Sequence, residues 1–139
     1  MRPYRLLVTG GRTYAKADVV GTVLDRALKM VVESDEYDRL VVVHGGARGL
    51  DTLAGQWGIL AIADGQPVDV EHYPADWDTH GKAAGHIRNG VMVATKPDVC
   101  VSFPGGTGTA NCTMQAFNAR IMVLTVNRNG ELSRQWEAP

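Results

Sequence analysis

A glycine-rich segment of the chain has the residue types that bind phosphate groups. It reads Pro104, Gly105, Gly106, Thr107, Gly108 and Thr109. An apolar run at 99–103 precedes it and helical spacing at 110–117 follows it, which predicts a strand, a turn and a helix start. Glycines let backbone N–H groups approach a ligand, and the first helical turn adds unpaired donors and the positive end of the helix dipole. We interpret the segment as a phosphate-binding loop, with a ligand-free tight turn as the alternative.

Two further glycine turns follow predicted strands, and an arginine pair lies near a predicted helix start. The candidate ligand-binding residues outside the 104–109 loop are Gly10, Gly11, Arg12, His44, Gly45, Gly46, Arg48, Asp51, Arg88 and Asn89. Guanidinium groups are the usual planar partners of phosphate. Any one of these arginines is more often a solvated surface charge, but three beside glycine turns favour an anionic ligand of nucleotide size.

Strands and helices that must position these residues alternate along the chain. Apolar runs predict strands at 4–8, 40–43, 68–73, 99–103 and 121–126, and helical periodicity predicts helices at 18–33, 50–63, 83–96 and 110–117. This order indicates an α/β three-layer fold with a mostly parallel sheet of about five strands. Right-handed crossovers place all strand C-termini along one edge, so the three glycine turns are expected to meet there.

Several finer expectations follow from the same patterns. The alternation of apolar and charged residues at 68–73 predicts a strand near an edge of the sheet. On the second helix we expect the core to be faced by Leu50, Leu53, Ala54, Trp57, Leu60 and Ala61. On the third we expect it to be faced by Ile87, Val91, Met92 and Ala94. The segment 74–82 is interpreted as a surface loop, and Trp136 in the C-terminal tail is expected to pack on the sheet.

Composition limits the function classes. The chain has 139 residues, 45% of them hydrophobic, which suits one domain over 1–139. Its net charge of −1 gives no general attraction to nucleic acid or to an anionic membrane, and no apolar segment approaches the roughly 20 residues of a membrane span. Cys100 and Cys112 form neither a disulfide framework nor a metal-ligand spacing, so we expect a cytoplasmic protein with no metal and no cofactor.

These motifs together resemble the SLOG superfamily of Rossmann-like domains, and within it the DUF2493 or YspA-like branch. The similar segments lie at 7–12, 43–51, 73–77, 80–85, 88–89 and 103–109. The resemblance implies a Rossmann-like fold that binds a nucleotide or a nucleotide-derived ligand as a sensor or carrier. It also leaves a homo-oligomer open, because proteins of the LOG branch are commonly dimers or larger.

The LOG branch implies an enzymatic alternative, hydrolysis of the N-glycosidic bond of nucleoside monophosphates. Its Pro-Gly-Gly-x-Gly-Thr-x-x-Glu pattern is similar to 104–112, but its glutamate falls on Cys112, and its His-x-Arg-Lys lysine falls on Asn89. The reaction needs a carboxylate near the anomeric carbon, which Asp51 or Asp76 could supply, although such aspartates more often cap helices. Cys112 could have a lowered thiol pKa, but a cysteine in an apolar helix is more often a core residue.

Two other interpretations concern the remaining residues. Arg88 and Asn89 also resemble a motif of the DprA branch, which binds single-stranded DNA, but the chain lacks net positive charge and basic, stacking-rich stretches. His44 and His86 are placed where they could contact a ligand, whereas His72 and His80 are assigned no role. The expected partner is therefore a small anionic nucleotide-like ligand.

Overall fold

The computed structural model describes residues 1–133, and the expectation for Trp136 falls outside the described residues. The strands are β1 (Arg2–Thr9), β2 (Tyr37–His44), β3 (Val68–His72), β4 (Val99–Ser102), β5 (Met122–Val126) and β6 (Leu132–Ser133). The helices are α1 (Ala17–Glu33), α2 (Leu50–Ala63), α3 (Trp77–His80), α4 (Ala84–Ala94) and α5 (Thr107–Asn118), with a 3₁₀ turn at Gly81–Ala83.

All of the described strands belong to one mostly parallel sheet in the order β3-β2-β1-β4-β5-β6. The chain adds β2 and β3 on one side of β1, and then crosses to add β4 and β5 on the other. Strand order therefore reverses between β1 and β4, which is where open α/β sheets bind ligands. The predicted α/β class and the edge position of β3 are confirmed.

The sheet has one strand more than the sequence indicated. Strand β6 pairs antiparallel with β5, in the register Val126 to Leu132. Its two residues were assigned to the C-terminal tail, because so short a segment carries no detectable alternation.

Two apolar clusters fill the spaces between the sheet and its helices. Alternate strand residues such as Leu6 and Val42 pack with α1 and α2 on one face. Leu7 and Val43 pack with α4 and α5 on the other. Because β1 and β2 are apolar on both faces, they lie inside the sheet between two helical layers. No helix within residues 1–133 is long and apolar enough to cross a membrane.

The predicted inward face of α2 is confirmed at five positions and wrong at one. Leu60 is 70% exposed, whereas the core contacts come from Leu50, Leu53, Ala54, Trp57 and Ala61. This helix is apolar on most of its circumference, so periodicity marks its core side incompletely. Two glycines, Gly55 and Gly58, occupy the buried side, and a Cβ at position 58 would overlap Val70 on β3. Close helix-to-sheet packing at Gly58 leaves Leu60 on the outward side, while Leu50 and Trp57 still pack against the core.

The prediction that Ile87, Val91 and Ala94 of α4 face the core was wrong, because all three are exposed. The expectation for Met92 is confirmed, because it is buried, and Asn89 is buried as well. A polar residue thus occupies the core-facing side, for a reason given below. The expected loop at 74–82 also contains α3, whose first turn is capped by Asp76 through a 3.1 Å hydrogen bond from the Thr79 N–H.

Candidate functional site

A cleft of about 940 Å³ opens at the C-terminal ends of β1 and β4, where the strand order reverses. The loops after these two strands form its floor, and the start of α4 forms one wall. Among the predicted site residues, the cleft is lined by Gly10, Gly11, Arg12, Asp51, Arg88, Asn89, Pro104, Gly105, Gly106, Thr107, Gly108 and Thr109. His86, which is exposed, also lines it.

The loop before α5 presents backbone N–H groups to this cleft. Within residues 1–133, the N–H groups of Gly105 and Gly106 have no acceptor. Helix α5 begins at Thr107, and helical geometry leaves the N–H groups of its first turn without a carbonyl four residues back. Backbone donors and the positive end of the α5 dipole therefore converge on one side of the cleft.

The glycines of this loop differ in whether neighbouring atoms leave room for a side chain. A Cβ on Gly105 would overlap Thr109 and lie 2.8 Å from the Gly11 nitrogen, so close packing demands glycine there. A Cβ on Gly106 or Gly108 would have no atom within 4 Å, and neither residue has a positive φ. Internal packing therefore explains Gly105 but not Gly106 or Gly108, both of which line the cleft.

The loop after β1 is fixed against this one. The Gly11 N–H donates to the Pro104 carbonyl at 2.9 Å, which holds the two loops side by side. A Cβ on Gly10 would lie 2.6 Å from Leu50 Cγ, so the turn passes directly over the start of α2. Arg12, which follows, is exposed, with its guanidinium 5.7 Å from the centre of the Trp77 ring.

In the loop after β2, the N–H groups of Gly46 and Ala47 are occupied by the protein itself. The Asp51 carboxylate accepts from the Ala47 N–H at 3.1 Å. The Gly46 N–H donates to His44 Nδ1 at 3.0 Å. Burial of Asp51 raises the pKa of its carboxyl, against the opposing effect of the Ala47 N–H. The loop reaches the predicted edge, but its Gly46 and Ala47 amides are already bonded within the protein.

His44 does not line the cleft. Its ring is buried and stacks on His72 with 5.2 Å between ring centres. Burial lowers the pKa of His44 to about 4, with smaller effects from His72 and Arg88. His72, which was assigned no role, reaches His44 because β2 pairs with β3. No local pattern in the sequence indicates this contact.

Arg88 and Asn89 connect the loops through side-chain hydrogen bonds. Arg88 Nη1 donates to the Gly45 carbonyl, and its Nε donates to Asn89 Oδ1 at 3.0 Å. Asn89 is only 4% exposed, and its Nδ2 donates to the Gly108 carbonyl at 3.2 Å and to Asn111 Oδ1 at 3.1 Å. These bonds explain why a polar residue faces inward on α4: it holds the first turn of α5 in place.

Several cleft residues were not identified from the sequence. Lys16 and Lys82 add positive charge, and Trp77 and Tyr14 add aromatic surface. Lys16 donates its Nζ to the Arg128 carbonyl, so it also ties the cleft rim to the turn after β5. Lys82 lies in a turn that brings it over the cleft only because α3 and the 3₁₀ turn form. Its place in a polar segment gave no signal beyond a surface charge.

The two cysteines lie beneath the cleft, and both are 0% exposed. Hydrogen bonding to Cys112 and burial raise the pKa of Cys100, while the same contact lowers that of Cys112. Both cysteines belong to the apolar cluster between β4 and α5. Within residues 1–133, no group of three or more His, Cys, Asp or Glu side chains has a metal-binding arrangement.

Comparison with known proteins assigns the family. The sequence model of the YspA, cpYpsA-related SLOG family matches residues 4–80, which covers the loops after β1 and β2. The chain belongs to this SLOG family. It is also 40% identical over 126 residues to the "Gene 61 protein" of Mycobacterium phage D29, an alignment that covers 86% of this chain and 94% of that protein.

This SLOG domain differs from the LOG-like pattern at the two positions noted from the sequence. Cys112 stands where that pattern has glutamate, and it lies in the core rather than in the cleft. Asn89 stands where the pattern has lysine, and it bridges α4 and α5. Of the two carboxylates considered as substitutes, Asp51 lines the cleft, whereas Asp76 caps α3.

Proposed function

We propose that this SLOG domain binds the phosphate or pyrophosphate of a nucleotide or nucleotide-derived ligand, as a sensor or carrier module. The observation that carries the proposal is the pair Gly106 and Gly108 at the start of α5. Both are glycines that no internal contact requires, beside N–H groups without acceptors. A phosphate oxygen needs close approach to such donors, and a side chain there would block it.

The charge around the loop supports the same ligand class. Arg12, Lys16, Lys82 and Arg88 line the cleft, against one carboxylate from Asp51. That carboxylate accepts a hydrogen bond from the Ala47 N–H. The chain carries a net charge of −1, so this local excess of positive charge is a property of the cleft. SLOG membership supports a nucleotide-related module at the level of the family.

A ligand screen tests the proposal. Thermal-shift measurements followed by calorimetry would compare nucleoside mono- and diphosphates, cyclic nucleotides, ADP-ribose and NAD with sulfate at matched ionic strength. We expect at least one nucleotide to bind more tightly than sulfate and to raise the melting temperature, because a ligand that binds only the native state stabilises it. If no compound in the screen binds better than sulfate, the proposal is wrong.

The position of Asp51 favours a second candidate, the hydrolysis of a nucleoside monophosphate at its N-glycosidic bond. Its buried carboxyl lines the cleft and has a raised pKa, which suits a group that exchanges a proton with an attacking water. Incubation with each nucleoside monophosphate, with chromatographic detection of the free base, tests this activity. Asp51→Asn should abolish it, and absence of base release from the wild-type protein contradicts it.

A further inference from the structure

A smaller pocket of about 400 Å³ adjoins the cleft, and Arg48 lies in it rather than in the cleft. The two spaces share a wall that includes Arg12, Trp77 and Arg88. The pocket is otherwise formed by the turn after β2 and by the segment before α3. One of the predicted ligand-binding arginines therefore faces a separate compartment, which continues from the main cleft past the Trp77 ring.

The side-chain charges around this pocket are all positive. Its lining contains Arg12, Arg48 and Arg88 and no Asp or Glu. Asp51 lies in the wall of the neighbouring cleft, with one carboxylate oxygen bonded to the Ala47 N–H. Like charges that share a small space repel each other, and an anion bound between them removes that cost.

These arginines contrast with those at the opposite end of the sheet. Arg5 forms a two-pronged ion pair with Glu71 at 2.7 and 2.8 Å, and Arg2 pairs with Asp98 at 2.9 Å. In the described part of the chain, none of the three arginines of the pocket has a carboxylate within ion-pair distance. Arg2 and Arg5 of β1 thus form ion pairs, whereas the arginines of the pocket form none in the described residues, although Arg88 is close enough to Asp51 to oppose the rise in the pKa of its carboxyl.

We propose that this pocket binds a second anionic group of the ligand, with Arg48 as the residue that selects for it. The inference rests on the proposed function, because the first anionic group is the phosphate held at Gly106 and Gly108. The ligand class is accordingly a nucleotide derivative with two separated anionic groups, one in each compartment. The Trp77 ring lies between them, where an aromatic or sugar part of the ligand would pass.

Nuclear magnetic resonance of the ¹⁵N-labelled full chain tests the two compartments separately, with inorganic phosphate as the probe. The amides of Gly106 and Gly108 report on the cleft, and those of Gly46 and Ala47 report on the pocket. We expect both pairs to shift on addition of phosphate and not on addition of sodium chloride at the same ionic strength. Loss of one charge-assisted hydrogen bond in Arg48→Gln should weaken phosphate binding at Gly46 and Ala47 roughly tenfold, and change it less than about twofold at Gly106 and Gly108.

A matched variant and three outcomes make the test decisive. Arg26→Gln removes an exposed arginine of α1 that lines neither space, and it should leave all four amides as in the wild type. The inference is overturned if Gly46 and Ala47 do not respond to phosphate, or respond equally in Arg48→Gln and the wild type. If Gly106 and Gly108 alone fail to respond, the proposed function is wrong, and with it the assignment of the pocket to a second group.

Discussion

Replacement of Gly108 by alanine separates ligand binding from stability. Gly108 is the second residue of α5 and lines the cleft, and an added Cβ would meet no protein atom within 4 Å. Alanine is favoured over glycine in a helix by up to about 1 kcal/mol, through lower entropy of the unfolded chain. For a chain of this length, that corresponds to a rise in melting temperature of roughly 3 °C. The protein should therefore become no less stable.

The same methyl group should weaken binding of a phosphate ligand. Phosphate oxygens approach backbone N–H donors to about 2.7–3.1 Å, and a Cβ beside the first turn of α5 would occupy that space. We expect at least a tenfold rise in Kd, which corresponds to about 1.4 kcal/mol. Differential scanning calorimetry gives the stability, and isothermal titration with the best nucleotide from the screen gives the affinity.

Gly21→Ala is the matched control for this variant. Gly21 lies in α1, its added Cβ would also have no atom within 4 Å, and it does not line the cleft. It should gain a similar amount of stability and keep wild-type affinity. The reasoning is refuted if Gly108→Ala binds the nucleotide as tightly as the wild type, because the open side of this glycine would then not be where the phosphate lies.

Three further predictions concern stability. Gly10→Ala should lower the free energy of unfolding by about 1–3 kcal/mol in urea titrations, because the new Cβ would lie 2.6 Å from Leu50 Cγ, and an unchanged midpoint would contradict that packing. The hydrogen bonds from Arg5 hold the pKa of Glu71 at about 2, compared with an ordinary value of 4.5. The ionised carboxylate therefore stabilises the fold above pH 4.5, and this stabilisation is lost as the pH falls from 4.5 to 2. In Glu71→Gln, the free energy of unfolding should depend less on pH between 4.5 and 2. Burial lowers the pKa of His44 to about 4, so stability should fall as pH decreases from 6.5 to 4, and His44→Gln should reduce this dependence in denaturation measured across that range.

The sheet could be predicted because its inner strands are apolar on both faces. The run at 40–43 has no polar position, which is typical of an interior parallel strand, and β2 lies between β1 and β3. The inward faces of α2 and α4 could be predicted only in part. Gly58 packs against Val70, and Asn89 bonds to Gly108, so contacts with other elements decide which side is buried.

The position of the candidate site could be predicted from the sequence. Which of its backbone N–H groups already have an acceptor within the protein could not. Each glycine turn was placed after a strand, and parallel order brings the strand ends to one edge. Whether an N–H group is free depends on residues distant in the chain. Gly11 donates to Pro104, and Arg88 reaches Gly45, contacts that no local pattern contains. The assignment of ligand contacts to individual residues therefore stays a prediction.

The carboxylate of Asp51 limits how much negative charge the cleft can hold at the loop after β2. Because it already accepts the N–H group of Ala47, a ligand phosphate at that amide would have to displace it from a buried position. That displacement would leave a carboxylate without that donor, which is costly. Phosphate is therefore expected at the start of α5, and any further negative charge has to be met by arginine side chains. Arg48, which the loop directs into the adjoining pocket, is the arginine placed to meet it.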